Sequence, residues 1–171
     1  MKKIKDLDKK TAKSLKSGDN VLYTGIMFTA RDQAHKRLVV DIKNNRVPIN
    51  LKNKIIYYCG PNPSKKKNKV GSAGPTTSSR MDEFTPMLLK HGVLALVGKG
   101  KRSKEVLHAL QKNKAVYFIT IAGAGAYLSE KIKTAFPVAY KDLGAESIYE
   151  FYVKDFPLIV ACDTRGRTIF K

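Results

Sequence analysis

Apolar positions along this chain fall in short runs whose period switches between two and about 3.6, so strands and helices should alternate. Residues 20–30 are apolar on both alternating faces: Val21, Tyr23, Gly25 and Met27 on one, Leu22, Thr24, Ile26 and Phe28 on the other. That pattern predicts a strand buried on two sides. Shorter strands are predicted over 54–59, 93–97, 115–120, 136–140, 148–153 and 157–163, the last two flanking Asp155-Phe156. Helical spacing covers 1–18, where Asp8 is a candidate cap, Leu7, Ala12 and Leu15 form a weak apolar face and Gly18 is a stop. It returns from Thr29 into a turn by residue 50, where Asn44, Asn45 and Pro48 act as breakers. Further helices are predicted over 83–91, ended by Gly92, and over 103–112, with Val106, Leu107 and Leu110 inward. A last one opens at Ala122-Gly123-Ala124-Gly125-Ala126 and runs through Ile132. The alternation predicts an α/β protein with a three-layer or mixed-sheet arrangement, as one domain over 1–171.

Composition narrows the class. A hydrophobic fraction of 43% in 171 residues suffices for a real core and excludes a disordered chain. The longest apolar runs, such as Val93 to Val97, are far short of the roughly 20 residues of a membrane span, and no apolar segment follows the lysine-rich start. Cys59 and Cys162 sit in apolar strand contexts, which reads as buried free thiols in a reducing cytoplasm. With three scattered histidines they have no ligand spacing, so no metal site is expected within this chain.

Thirty-three basic against 14 acidic residues give a net charge of +19. Such a charge invites a nucleic-acid partner. Its distribution argues against one: the excess is mostly lysine, aromatics are not interleaved with the basic runs, and no recognition-helix, zinc-finger or RNP-type pattern occurs. The 65–69 lysine run reads as a solvated loop, with a polyphosphate or RNA site as the rival reading.

Candidate chemistry concentrates in residues 71–82, Gly-Ser-Ala-Gly-Pro-Thr-Thr-Ser-Ser-Arg-Met-Asp. Gly74-Pro75 sets a tight turn, four hydroxyls follow, then a guanidinium and a carboxylate. A loop of this kind can offer backbone N–H groups, hydroxyls and a forked cation to one anion, although plain polar turns have the same composition. Thr29 with Asp32 resembles a capping box, which sets Arg31 in the first helical turn against the macrodipole. Either a ligand or a local carboxylate would account for that arginine. His35 lies one turn further on the same face. Gly98-Lys99-Gly100 at a strand end is a second anion-cradling candidate. It is not a Walker A loop: Val93 stands where the first glycine is needed, and in the alternative register Ala95 and Arg102 replace the glycine and the hydroxyl. The Gly123-x-Gly125 pair has Leu128 in place of the third glycine, so close helix–sheet packing explains it as well as a dinucleotide does.

Thr29-x-Arg31-Asp32-x-x-His35, Gly60-Pro61, Gly74-Pro75-Thr76-Thr77-x-x-Arg80-Met81-Asp82 and Gly98-Lys99-Gly100, taken in order, resemble the β subunit of class I fumarate hydratase and of L(+)-tartrate dehydratase. Glu146-Ser147-Ile148-Tyr149, Asp155-Phe156-Pro157 and Asp163 are similar to that family's C-terminal region. The resemblance covers roughly residues 15–170, with departures at Ala122–Gly125 and in the 65–69 run. It implies a swivelling β/β/α domain and a hydro-lyase acting on a C4 dicarboxylate, fumarate first and tartrate as the alternative. It also implies a 4Fe–4S cluster held by a partner α subunit and not by this chain, in an α2β2 assembly. On the matching positions it implies Arg31, Arg80 and Lys99 as carboxylate-binding cations and Thr76 as candidate base, with Asp32, His35, Thr77 and Asp82 in support. A nucleotide-binding α/β enzyme is the remaining rival.

Overall fold

The computed structural model describes residues 1–170. Its elements run β1 (Lys2–Lys5), α1 (Lys9–Ser14), β2 (Asn20–Thr29), α2 (Asp32–Lys43), β3 (Ile55–Tyr57), β4 (Asn62–Pro63), β5 (Val70–Ser72), α3 (Thr85–Lys90), β6 (Ala95–Gly98), α4 (Lys104–Asn113), β7 (Val116–Ile119), α5 (Gly125–Lys131), β8 (Ile132–Ala139) and β9 (Ile148–Cys162). Two 3-10 helices, Ser78–Met81 and Lys141–Glu146, complete the chain order.

Strands β2, β3, β6 and β7 are parallel neighbours, and β9 runs antiparallel to β7. Because β9 also pairs antiparallel with β2, these five strands close into a ring of pairings, with β1 and β8 as flanking edges. Alternation then sorts the side chains. Ile55, Tyr57, Ala95, Val97, Val116 and Phe118 join residues of β2 and β9 in one core. Ile56, Tyr58, Leu96 and Tyr117, one position out of step, pack against α2, α3 and α4 in a second core. The result is three layers around a mixed sheet, the α/β class that the alternation predicts, in the β/β/α order that the resemblance implies.

Several local expectations change. The predicted 1–18 helix is β1 followed by the six-residue α1, because Ile4 is buried and pairs in register with Tyr23 on the edge of β2. Asp8 does cap α1, accepting from Thr11 N at 2.7 Å. Strand β2 is not buried on both faces throughout: Leu22, Thr24 and Ile26 are half-buried, and full burial begins only at Met27. Thr29 makes no capping box. It is the last, buried residue of β2, and its hydroxyl accepts from Tyr149 N (3.0 Å) and donates to the Ser147 carbonyl (3.3 Å). The cap position of α2 is Arg31, without a side-chain cap bond. The two strands foreseen at 148–153 and 157–163 are one, β9, with a bulge where Asp155 takes φ 51° opposite the Tyr23–Gly25 register shift. The start of the 71–82 stretch is strand β5, paired with β4.

Parallel strands align their carboxyl ends, so Arg31 after β2, Tyr58 after β3 and Lys99 after β6 emerge along one edge of the sheet. The carboxyl ends of parallel strands are where α/β sheets bind ligands, in closed barrels as in open sheets. Residues 76–82 lie across this edge. Gly98 makes their approach possible: a Cβ there would sit 2.0 Å from Ser78 Oγ and 2.9 Å from the Tyr58 ring. Gly98→Ala should therefore cost about 1–3 kcal/mol in a urea denaturation of the chain, with part recovered in Gly98→Ala/Ser78→Ala.

Candidate active site

The 76–80 segment is stitched to the sheet edge at three points. Thr76 N and Thr76 Oγ1 both donate to the Tyr58 carbonyl, at 2.8 and 3.1 Å. Thr77 forms a parallel bridge with Lys99, Ser78 N donates to the Lys99 carbonyl at 3.1 Å, and Lys99 N donates to Ser78 Oγ at 3.0 Å. Arg80 then reaches the start of α2, where its Nε and Nη2 meet Asp32 Oδ1 and Oδ2 at 3.1 and 2.7 Å. The ends of β3, β6 and β2 are thus tied together by one five-residue stretch.

Four of the residues singled out in the sequence meet here with usable groups. Arg80 is half-exposed, and Asp32 occupies only the Nε–Nη2 edge of its guanidinium. The Nη1–Nη2 edge remains for a second, bidentate carboxylate. An ion pair this exposed contributes only about 0–1 kcal/mol to stability, so what Asp32 fixes is orientation. Arg31 lies over Gly60, whose missing Cβ would stand 2.9 Å from Arg31 Cδ and 3.0 Å from Nη1. Its Nε is buried without a hydrogen-bond partner, with Asp32 and Glu146 carboxylates at 3.8 and 3.9 Å. Lys99 is half-buried, and its ammonium has no ion pair among the described residues. Thr76 is half-buried with its hydroxyl proton given to Tyr58, which leaves the oxygen's lone pairs to accept. The Thr77 side chain is exposed and makes no cap bond to the following 3-10 helix.

His35 and Asp82 lie deeper. His35 is fully buried, its ring between Tyr58 and Phe84. Its Nδ1 is 2.7 Å from the Arg31 carbonyl, which can only accept, so Nδ1 carries the proton and Nε2 is a bare lone pair without a partner. Burial pushes its pKa down to about 4. Asp82 turns away from the edge, accepting from Arg102 Nε at 2.6 Å and from Ser103 N at 2.7 Å at the start of α4.

Sequence reasoning missed the layer that holds this edge in place. Arg102, its side chain fully buried, pairs with Asp82 and donates through Nη2 to Thr85 Oγ1 (2.7 Å) and Tyr58 OH (3.2 Å). Its guanidinium also lies 5.2 and 4.9 Å from the Tyr58 and Tyr117 ring centroids. Tyr117 OH in turn sits 2.9 Å from Ser78 Oγ and 2.8 Å from the Gly100 carbonyl. The one linear signal was a lone arginine two residues past a Gly-Lys-Gly turn, with nothing to pair it to Asp82.

A family model described as Fumarase C-terminus matches residues 2–171. The chain belongs to that family. It is 38% identical to a Methanocaldococcus jannaschii protein provisionally named L(+)-tartrate dehydratase subunit beta, over 96% of this chain and 88% of that protein. It is 36% identical to the anaerobic class I fumarate hydratase of Escherichia coli over 86% of this chain, and 33% identical to fumarate hydratase 2 of Leishmania major over 90%. The chain spans only 28% of the length of each of those two hydratases.

A 4Fe–4S cluster wants three or four thiolates. In this fumarase C-terminus chain Cys59 and Cys162 are buried in different cores, and burial pushes their thiols up to about 12 and 11. Two separated, protonated thiols do not fit such a cluster. Among the described residues, no group of three or more His, Cys, Asp or Glu is arranged to hold a metal.

The His35 environment carries a pH dependence. Its imidazole is neutral in the folded chain down to about pH 4, whereas the unfolded residue takes up its proton near 6.5. The unfolded state therefore binds the extra proton between those values. Stability contributed by neutral His35 is fully present above about pH 6.5 and is lost as pH falls toward 4, by on the order of 3 kcal/mol. Urea midpoints across this window should fall more steeply for the parent chain than for His35→Gln, whose side chain does not titrate there.

Proposed function

We propose that the chain is the β subunit of an iron–sulfur hydro-lyase that adds or removes water across the C=C bond of a C4 dicarboxylate, fumarate/(S)-malate in the first instance. The carrying observation is the convergence of Arg31, Arg80 and Lys99 with Thr76 on one sheet edge. Arg31 has a buried donor unfilled, and Arg80 has one guanidinium edge open. The names of the relatives favour the same chemistry, and the substrate alternative is L(+)-tartrate. The 4Fe–4S cluster is assigned to an α subunit in an α2β2 assembly, consistent with thiols here that do not suit it; there it would supply a Lewis acid for the hydroxyl.

This chain's residues then do the following. The open edge of Arg80 takes one substrate carboxylate bidentately, Asp32 holding the guanidinium in plane. Arg31 and Lys99 bind the rest of the dianion, and one of the three cations faces the carboxylate whose charge rises when the adjacent C–H loses its proton. Thr76 Oγ1 is the group assigned to that proton. A neutral alcohol is a poor base, and Tyr58's carbonyl cannot accept a proton from it. Thr76 is then activated either by an acceptor from the other subunit or by cationic surroundings, to which Arg80 contributes. A second reading, favoured by that same Thr76–Tyr58 bond, makes the hydroxyl a substrate-binding group only.

In the enzyme reconstituted with its α subunit, Arg80→Ala should lower kcat/KM for fumarate hydration by at least about 100-fold, as for a lost clamp that also stabilises the transition state. Near-parental kinetics would sink the assignment. Thr76→Ala should depress kcat by about 100-fold or more with little change in KM. A change confined to KM would transfer Thr76 to the binding role.

A further inference from the structure

The 65–69 lysine run has a structural context that its sequence did not disclose. It forms the turn between β4 and β5, the segment that joins Gly60, under Arg31, to the Gly74-Pro75 loop. The turn is docked on β8: Ala135 N donates to the Asn68 carbonyl at 3.0 Å, and Lys69 Nζ lies 3.4 Å from the Ile132 carbonyl. Docking shapes an open cleft of about 560 Å³, with Lys65, Lys66, Lys67 and Lys69 on one side and an apolar wall including Pro137 and Tyr149 on the other. All four lysines are exposed, and among the described residues none is ion-paired with a carboxylate.

The cleft adjoins the candidate active site. Pro61, in its lining, follows Gly60, and Ala145, also in its lining, precedes Glu146, the carboxylate beside Arg31. The Ala145 carbonyl is 3.3 Å from where a Gly60 Cβ would stand. Four like charges beside a low-dielectric wall focus an attractive field for small anions. No planar fork or fixed donor set is present, so the field selects charge and size, not chemical detail.

We propose that this cleft is a collecting site for small dicarboxylate anions, which it holds weakly and concentrates beside Arg31 and Arg80. The inference rests on the reading of the substrate as a dicarboxylate. It adds a second, non-catalytic anion site built by a segment that carries none of the assigned chemistry.

The test is an amide NMR titration of the full chain with succinate, a dicarboxylate with neither a C=C bond nor a hydroxyl to react. The expected result is a set of shifts at residues 62–70 and 144–149. Apparent affinity there should fall at least about threefold between 50 and 200 mM salt, and by a similar factor in Lys65→Gln/Lys66→Gln/Lys67→Gln. In the complex with the α subunit, kcat/KM of that triple variant should be about threefold below parent at low salt, and the gap should close near 0.3 M. Shifts confined to residues 31–32, 76–80 and 99, with the triple variant matching the parent, would overturn the proposal. So would cleft shifts that appear with an RNA oligonucleotide and not with succinate, which would mark a surface for a macromolecular polyanion. The direct binding readout survives a failure of the hydro-lyase reading: an inactive complex whose cleft still binds succinate refutes that reading and leaves this one standing.

Discussion

Ser78 can rest against the end of β6 only because residue 98 has no side chain. That contact lets the 76–80 segment add to the sheet edge by backbone bonds to Tyr58 and Lys99. Without it, Thr76 and Arg80 would belong to a surface loop remote from Arg31 and Lys99. A gap of one methyl group on a buried glycine thus converts three dispersed motifs into one anion-facing edge.

Beneath that edge lies a buried cation. Removing Arg102 from water costs several kcal/mol, which the Asp82 carboxylate, two hydroxyls and two aromatic faces offset, while Nη1 stays buried without a hydrogen-bond partner. Those partners also support the site. Tyr58 supplies the carbonyl that holds Thr76, Tyr117 touches Ser78, and Asp82 closes the 3-10 helix that carries Arg80. The polar network under the edge therefore specifies the loop's position as well as pairing the buried charge with Asp82.

The exposed pairs act differently. Arg80–Asp32 is solvated and worth little in stability, yet its bidentate geometry orients a guanidinium whose other edge stays open. The neutral, buried His35 adds no charge near these cations; it ties the first turn of α2 through the Arg31 carbonyl. Strong interactions are spent on the support and weak ones on the groups that would have to meet a ligand.

Periodicity and punctuation determined much of this in advance: the α/β alternation, four of the parallel strands (β2, β3, β6 and β7), the Asp8 cap and the turn character of Gly74-Pro75. They could do so because these features depend on neighbours in sequence. The order and spacing of the Thr29–His35, Gly74–Asp82 and Gly98–Gly100 motifs were equally legible, and they carried the family resemblance. Only the tertiary structure decided what pairs with what. It made β1 a strand rather than helix, because Ile4 finds the edge of β2. It drew Thr29 away from a cap to lock β9, gave Asp82 to Arg102 and Asp32 to Arg80, and folded the lysine run against β8. Those choices join residues 19 to 120 positions apart, and their energies come from burial and charge pairing that no local window contains.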